Sequence, residues 1–405
     1  MNAQRTSADT QAVLLLAATM GTRGDAYKPL SPSEYSHVAE VMHANSLRPA
    51  DLFEYRSAEA FNELVRHFDP KAREKITSER LYRLMARGGM LSVSMERWTQ
   101  VGIWVVSRAD DRYPDRYKRV LKKSAPPVVF GIGPDELLRR GGLAVVGTRK
   151  PDPSSEEYTR RVGAWAADHE VQVVSGAANG VDSIAMLSAV AAGGTALGIV
   201  AESLIQMSTK KIFREAIMDG RLTLISSFDP DAAFNVGNAM ARNKWIYALA
   251  DRALVVACSN TSNGTWNGAV EAIKAGATVF TRVGNPERRR NEELVSLGAI
   301  PITDDLQLLL DKDPGAHAVS VLSAAQRATH LSANELFETI TPILLRYLST
   351  WLTAKEFAKR ADLVPAQAKA WLERLVASGQ VEKAKTKFRA YTHSDAQPSL
   401  FEPKT

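Results

Sequence analysis

The chain has 405 residues, enough for two or three domains, and its 45% hydrophobic and 24% charged residues are the make-up of a globular protein. Fifty-one Lys and Arg against 45 Asp and Glu leave a net charge of +6, a mild basic lean that permits a nucleic-acid partner without requiring one. One cysteine, Cys258, excludes an internal disulfide framework and a cysteine-based metal site and fits a reducing, cytoplasmic setting; the seven histidines are scattered, so neither metal nor cofactor is expected.

The apolar run Ala12–Met20 follows Asp9 and a single Arg and precedes Gly21-Thr22-Arg23. It reads as a buried first helix rather than a signal-peptide core. Nowhere is there an apolar stretch of the roughly 18 residues a transmembrane helix needs, so no membrane association is expected. Residues 1–95 read as a helical N-terminal domain, with stripes such as Phe53, Phe61, Leu64, Val65 and Phe68 packing helix on helix.

From about residue 96 the texture changes. Strands are predicted at 103–106, 128–131, 143–146, 171–174, 196–200, 222–225, 253–257 and 278–280. Helices are predicted at 115–121, 153–168 (with a capping box at Ser154 and Glu157), 181–192, 212–218 and 238–250, and around 269–274. Strands and helices alternate, and the strands are continuous apolar runs. This predicts an α/β fold over residues 96–311: a Rossmann-like, doubly wound, mainly parallel sheet covered on both faces. Residues 312–335 read as a linker opened by Asp313-Pro314-Gly315. Residues 336–393 then read as a winged helix: a helix at 354–361, a turn at Asp362-Leu363, a helix at 365–378 stopped by Gly379, and a ribbon carrying Lys383, Lys385, Lys387 and Arg389. Residues 394–405 read as a disordered tail.

In an open parallel sheet, ligands sit beyond the carboxyl ends of the strands. Four segments there are unusual: Gly147-Thr148-Arg149-Lys150, Ser175-Gly176-Ala177-Ala178-Asn179-Gly180, Arg242-Asn243-Lys244 and Asn263-Gly264-Thr265. Together they offer glycines, hydroxyls, amides and cations with few acids, Asp182 being the main exception. That is a rim suited to oxyanions, phosphate above all. Each segment taken singly reads equally well as a turn, a helix start or a solvated face. No G-x-G-x-x-G, Walker or G-x-S-x-G motif is present, and no carboxylate pair stands beside a histidine, so the rim reads as a binding site without a catalytic base.

The motifs resemble the DNA-processing protein A (Smf) family. Val145–Pro151 is similar to its first signature, and Val174–Asp182 to its second, S-G-x-A-R-G-x-D. Ala241–Lys244 is similar to its R-N-R segment, Gly264-Thr265 with Ala269 to a later S-G-[ST] loop, and Leu294-Val295 with Gly298-Ala299 to its closing stretch. Asp110–Pro114, Pro126-Pro127 and Gly131–Gly133 are similar to the segment ahead of these. The resemblance covers roughly residues 95–311. It implies single-stranded DNA held by its phosphates in a basic pocket, a homodimer, a RecA-type recombinase as partner, and no enzymatic turnover.

In that pocket Gly147, Gly176, Gly180 and Gly264 would bring backbone amides to phosphate. Thr148, Ser175 and Thr265 would donate hydroxyls, Arg149, Lys150, Arg242 and Lys244 would supply charge, and Asn179 and Asn243 would add amides. Trp266 reads either as a base-stacking ring or as core.

The departures are Asn179 for an Arg, Met186 for a His, Lys244 at the end of R-N-R, Val256-Ala257-Cys258 where a Glu is usual, and a changed segment at Gly198–Ser203. They mark a diverged member whose setting is DNA uptake and recombination, as in natural transformation, or plasmid and phage defence. Two other readings stay open. A sensor of a nucleotide-derived small ligand would use the same fold, and a phosphoribohydrolase would revive if AMP were hydrolysed. The winged helix is open to duplex DNA or to a protein.

Overall fold

The fold is that of a computed structural model, which describes residues 6–20, 28–258, 264–284, 290–311, 314, 333–361 and 363–390. The chain divides into two compact units, residues 1–322 and 323–405. The tail expected over 394–405, and nearly all of the linker expected over 312–335, lie outside the described residues.

The first unit opens with α1 (Ala8–Ala17), α2 (Pro32–Ala44), α3 (Asn62–Arg66), α4 (Pro70–Lys75), α5 (Ser78–Met85) and α6 (Gly88–Gln100). The apolar run of the sequence is α1, buried along most of its length. Ser7 caps it by accepting the Thr10 N–H. Ser31 and Glu34 form a reciprocal capping box on α2 with Pro32 in the first turn, which satisfies donors the helix start would leave orphaned.

These helices have no core of their own. One continuous cluster joins Leu14, Phe61 and Leu81 to Phe130, Val145 and Val173 of the sheet, and the boundary expected at residue 95 falls inside it. Polar ties reinforce the join: Thr10 Oγ1 donates to Asp110 at 2.6 Å and lies 2.7 Å from Ser107 Oγ.

The sheet has nine strands: β1 (Trp104–Ser107), β2 (Val128–Ile132), β3 (Leu143–Gly147), β4 (Val173–Ser175), β5 (Ala196–Ile199), β6 (Leu222–Ser226), β7 (Arg252–Ala257), β8 (Val279–Arg282) and β9 (Ile300–Ile302). Their order is β1-β2-β6-β5-β4-β3-β7-β8-β9. The strands from β6 to β9 in that order pair in parallel. β1–β2 and β2–β6 are antiparallel, which makes the sheet mixed.

The helices following the strands are α7 (Asp115–Leu121), α8 (Pro153–Asp168), α9 (Val181–Ala191), α10 (Leu204–Thr209), α11 (Lys211–Met218), α12 (Val236–Leu249), α13 (Gly264–Lys274) and α14 (Arg290–Ser296). α8 and α9 bury residues in the core shared with the N-terminal helices. α7, α12, α13 and α14 bury theirs in a second core on the other face. This is the predicted α/β, Rossmann-like arrangement. The chain turns back at β3, whose neighbours are β4 on one side and β7 on the other, so the sheet has its switch point there.

Two local expectations fail. The cap of α8 is Asp152, not Ser154: its carboxylate accepts the Ser155 N–H and Oγ–H, each at 2.8 Å. Pro153 causes the shift, because its fixed φ and missing N–H suit the first helical position and put the preceding residue at the cap. Arg242 lies in the interior of α12 rather than near its start, since the helix begins at Val236, capped by Asn235. α10 was not anticipated.

The second unit contains α15 (Ala333–Tyr347), β10 (Leu352–Thr353), α16 (Ala354–Arg360), α17 (Pro365–Ala377), β11 (Val381–Ala384) and β12 (Lys387–Ala390). The strands form an antiparallel sheet in the order β10-β12-β11. Its own core includes Leu348, Phe357, Leu372 and Leu375. Gly379, at φ +73°, ends α17, and the Gly379 and Gln380 N–H groups donate to Val376 and Leu375. Among the described residues no helix is long and apolar enough to cross a membrane, and no group of three or more His, Cys, Asp or Glu is placed to hold a metal.

Candidate nucleic-acid interface

The loops after β3 and β4 meet α12 and the start of α13 around a cavity of about 710 Å³ above the switch point. Its lining includes Gly147, Thr148, Arg149, Lys150, Ala178, Asp182, Arg242, Asn243, Gly264 and Thr265. All four segments singled out in the sequence therefore contribute, except that Asn263 lies outside the described residues. A register shift at the end of β3 lets the Thr148 N–H donate to Ala257 of β7 at 2.8 Å, which pins the first loop across the switch point. In the second loop Gly180 takes φ +89°, a backbone state that favours glycine, just before α9 begins.

The floor is the unusual part. The Arg242 side chain is only 7% exposed and lies 3.7 Å from Asp182, itself 8% exposed. Gly176 makes room for it, since a Cβ there would stand 1.7 Å from Arg242 Nη1. Burial pushes the Asp182 carboxyl above its ordinary range, and Arg242 and the backbone N–H groups of Gly147 and Gly176 offset this only in part. Burial likewise draws Arg242 down, against the pull of Asp182. Both directions mean that desolvation outweighs the mutual attraction of the pair. Among the described residues, Arg242 Nε is buried without a hydrogen-bond partner, and so is the hydroxyl of Tyr247, another lining residue. Such buried donors are rare and costly, each worth about 1–3 kcal/mol when unmet.

Several predicted site residues have work elsewhere. Ser175 donates its hydroxyl to Val145 O at 2.6 Å, inside the sheet. Thr265 donates to Gly147 O at 3.1 Å, and Thr148 Oγ1 accepts the Lys150 N–H at 3.3 Å. These hydroxyls hold the rim in shape.

Ser175, Gly176, Asn179, Gly180 and Lys244 do not line the main cavity. Asn179 is exposed on its loop. Lys244 lies 3.5 Å from Glu271 and borders a neighbouring hollow of about 270 Å³. Asn243 spans to α13, donating to Gly264 O at 2.9 Å. Trp266 packs against the second core and does not line the cavity.

Sequence reasoning missed one wall entirely. Phe234, Val236 and Met240 line the cavity yet are 46%, 67% and 50% exposed. The Arg149 guanidinium sits 5.4 Å from the Phe234 ring centroid, a cation–π contact. The available signal was a set of apolar residues with no helical stripe to join.

In the second unit, Lys383, Lys385 and Lys387 are exposed on the hairpin of β11 and β12. Arg389 turns back instead, 3.6 Å from Glu382 and over the Trp351 ring.

Fold and switch point together define a Rossmann-like α/β protein with a cation at the base of its crevice. A family model described as DNA recombination-mediator protein A matches residues 104–311, just over half of the chain, and the chain belongs to that family. The description is that of a mediator of DNA recombination, not of an enzyme. Protein Smf of Escherichia coli K12 is 28% identical over 197 residues, covering 47% of this chain and 52% of that protein. The DNA processing protein DprA of Streptococcus pneumoniae is 27% identical over 204 residues, covering 48% and 71%. This chain spans about half the length of the Smf proteins it matches. The X-ray structure of DNA processing protein A from Streptococcus pneumoniae superposes with a TM-score of 0.57 at 18% identity, over 76% of this chain and 99% of that one, a likeness of fold.

Proposed function

We propose that this protein binds single-stranded DNA by its phosphates in the cavity above the switch point, in DNA uptake and recombination or in defence against plasmids and phage. The observation that carries the reading is Arg242, a buried guanidinium at the floor of an open crevice with an unmet N–H. A buried cation that its carboxylate only partly compensates is stabilised by a second anion, and phosphate is the anion of nucleic acid. The exposed apolar wall beside it favours a single strand over a duplex. Bases of a single strand are free to lie on Phe234 and Met240, whereas duplex bases are already stacked on one another. Arg149, between the two, is placed to meet phosphate at the mouth.

Family membership brings forward two partners, a second copy of the chain and a RecA-type recombinase. The second unit has the layout of a winged helix, with α16 and α17 as the helix-turn-helix and the lysine-bearing hairpin as the wing, and we assign it a contact with duplex DNA. The test is fluorescence anisotropy of the full chain with labelled oligo-dT against matched duplex over a salt series, alongside Arg149→Ala/Arg242→Ala. Preferential single-strand binding that is strongest at low salt and lost in the double variant supports the reading. Binding that the double variant retains overturns the site.

A further inference from the structure

A strand offers two kinds of phosphate to the floor of the cavity, the diester within it and the monoester at its end. Resting on the proposed function, we infer that the cavity is built for a terminal phosphomonoester, the phosphate at the end of a strand or on a mononucleotide, rather than for a diester inside a strand.

Two polar groups at depth have no partner among the described residues: Arg242 Nε, which can only donate, and the hydroxyl of Tyr247. The Tyr247 ring is held against α13, where a Cβ added at Gly268 would stand 3.1 Å from it. The carboxylate beside Arg242, that of Asp182, stands at 3.7 Å, beyond hydrogen-bond distance. A ligand that satisfies these donors must therefore bring acceptor oxygens into a buried place.

A phosphodiester has two ester arms, and both must leave the cavity; it offers two free oxygens and one negative charge. A monoester has one arm, three free oxygens and a charge near −2 at neutral pH, its second pKa lying at about 6. A monoester can push a face of three unesterified oxygens and nearly twice the charge down to Arg242 and Tyr247 while Arg149 meets it at the mouth, whereas a diester offers an edge of two oxygens and must turn both arms back out. The nucleoside of the monoester would then lie along the wall of Phe234 and Met240. Hydrogen bonds to charged groups contribute about 1.5–3 kcal/mol each, so one oxygen placed on the floor corresponds to about tenfold or more in affinity.

The experiment compares 3′-labelled dT20 bearing a 5′-phosphate with the same strand bearing a 5′-hydroxyl, and uses circular single-stranded DNA, 3′-phosphorylated dT20, dTMP and thymidine as competitors. The full chain is used as wild type and as Tyr247→Phe, whose melting temperature shows whether it folds. The expected result is about tenfold tighter binding of the phosphorylated strand, competition by dTMP but not thymidine, and a preference that shrinks in Tyr247→Phe. Equal affinity for the two strands and the circle overturns the inference and leaves single-strand binding standing. If dTMP binds and no oligonucleotide does, single-strand binding fails and the monoester site stands. If the 3′-phosphate competes as well as the 5′-phosphate, the site reads the monoester and not the polarity of the strand.

Discussion

The cavity of the first unit and the hairpin of the second both present positive charge, in opposite physical states. Arg242 is desolvated, fixed by its place in the interior of α12 and packed flat against Gly176. Lys383, Lys385 and Lys387 stand in water on a two-stranded ribbon. A buried cation is worth a great deal to a ligand that reaches it and costs stability when none does. A solvated one contributes a screened, nearly additive attraction that any phosphate backbone satisfies. The proposed function therefore assigns selectivity to the first unit and salt-dependent adhesion to the second.

The comparison breaks most readily at Arg242. Arg242→Ala should cost about 100-fold in single-strand affinity, and about 3–5 kcal/mol of stability because Asp182 is left buried without a counter-charge. Anisotropy and urea unfolding measure the two; a loss no larger than that of exposed Arg149→Ala would show that burial adds nothing. Gly176→Ala keeps every charge but forces the guanidinium off its seat. It should lose about tenfold or more in affinity, judged by the worth of a charged hydrogen bond.

A pH series sharpens the point. The folded pKa of Asp182 lies above its unfolded value of 3.8, so this group favours the folded state at low pH, and that contribution is lost as pH rises through the raised pKa. The stability of the wild type relative to Asp182→Asn should accordingly fall as pH increases above the unfolded value of 3.8. A flat difference in urea midpoints would contradict the assignment.

The smallest effect is expected on the hairpin. Replacing Lys383, Lys385 and Lys387 by Ala should change stability by no more than about 0.5 kcal/mol. It should lower the slope of log K against log salt for duplex binding by about 1 for each phosphate contact removed.

What could be read from the sequence was whatever depends on local pattern. Continuous apolar runs such as Leu143–Val146 and Ala253–Ala257 are strands because both of their faces are covered, and the alternation carried the parallel order with it. That the four rim segments would meet at one cavity was legible because three of them follow strands, where ligands gather. The division of labour within the rim was not. Ser175 and Thr265 look like phosphate donors until distant carbonyls, Val145 and Gly147, come within reach. Asp182 looked like an exception to a basic rim and proves to be the partner around which Arg242 is buried. Tyr247, between Trp245, Ile246 and Ala248, reads as core, and only the packing of α12 on α13 leaves its hydroxyl at the cavity.

The core that runs unbroken from α1 into β3 limits how this protein can be inherited and altered. A recombination event or an engineer that exchanged the first hundred residues alone would strip the sheet at β1 and β2, leaving Phe130, which packs edge-on against Trp98, facing water or a surface never shaped for it. The N-terminal helices are thus not a detachable cassette on the α/β fold but part of its interior. Sequence drift in them must keep step with drift in the strands beneath, whereas the second unit, with a core of its own, is free to vary, to be lost or to be replaced.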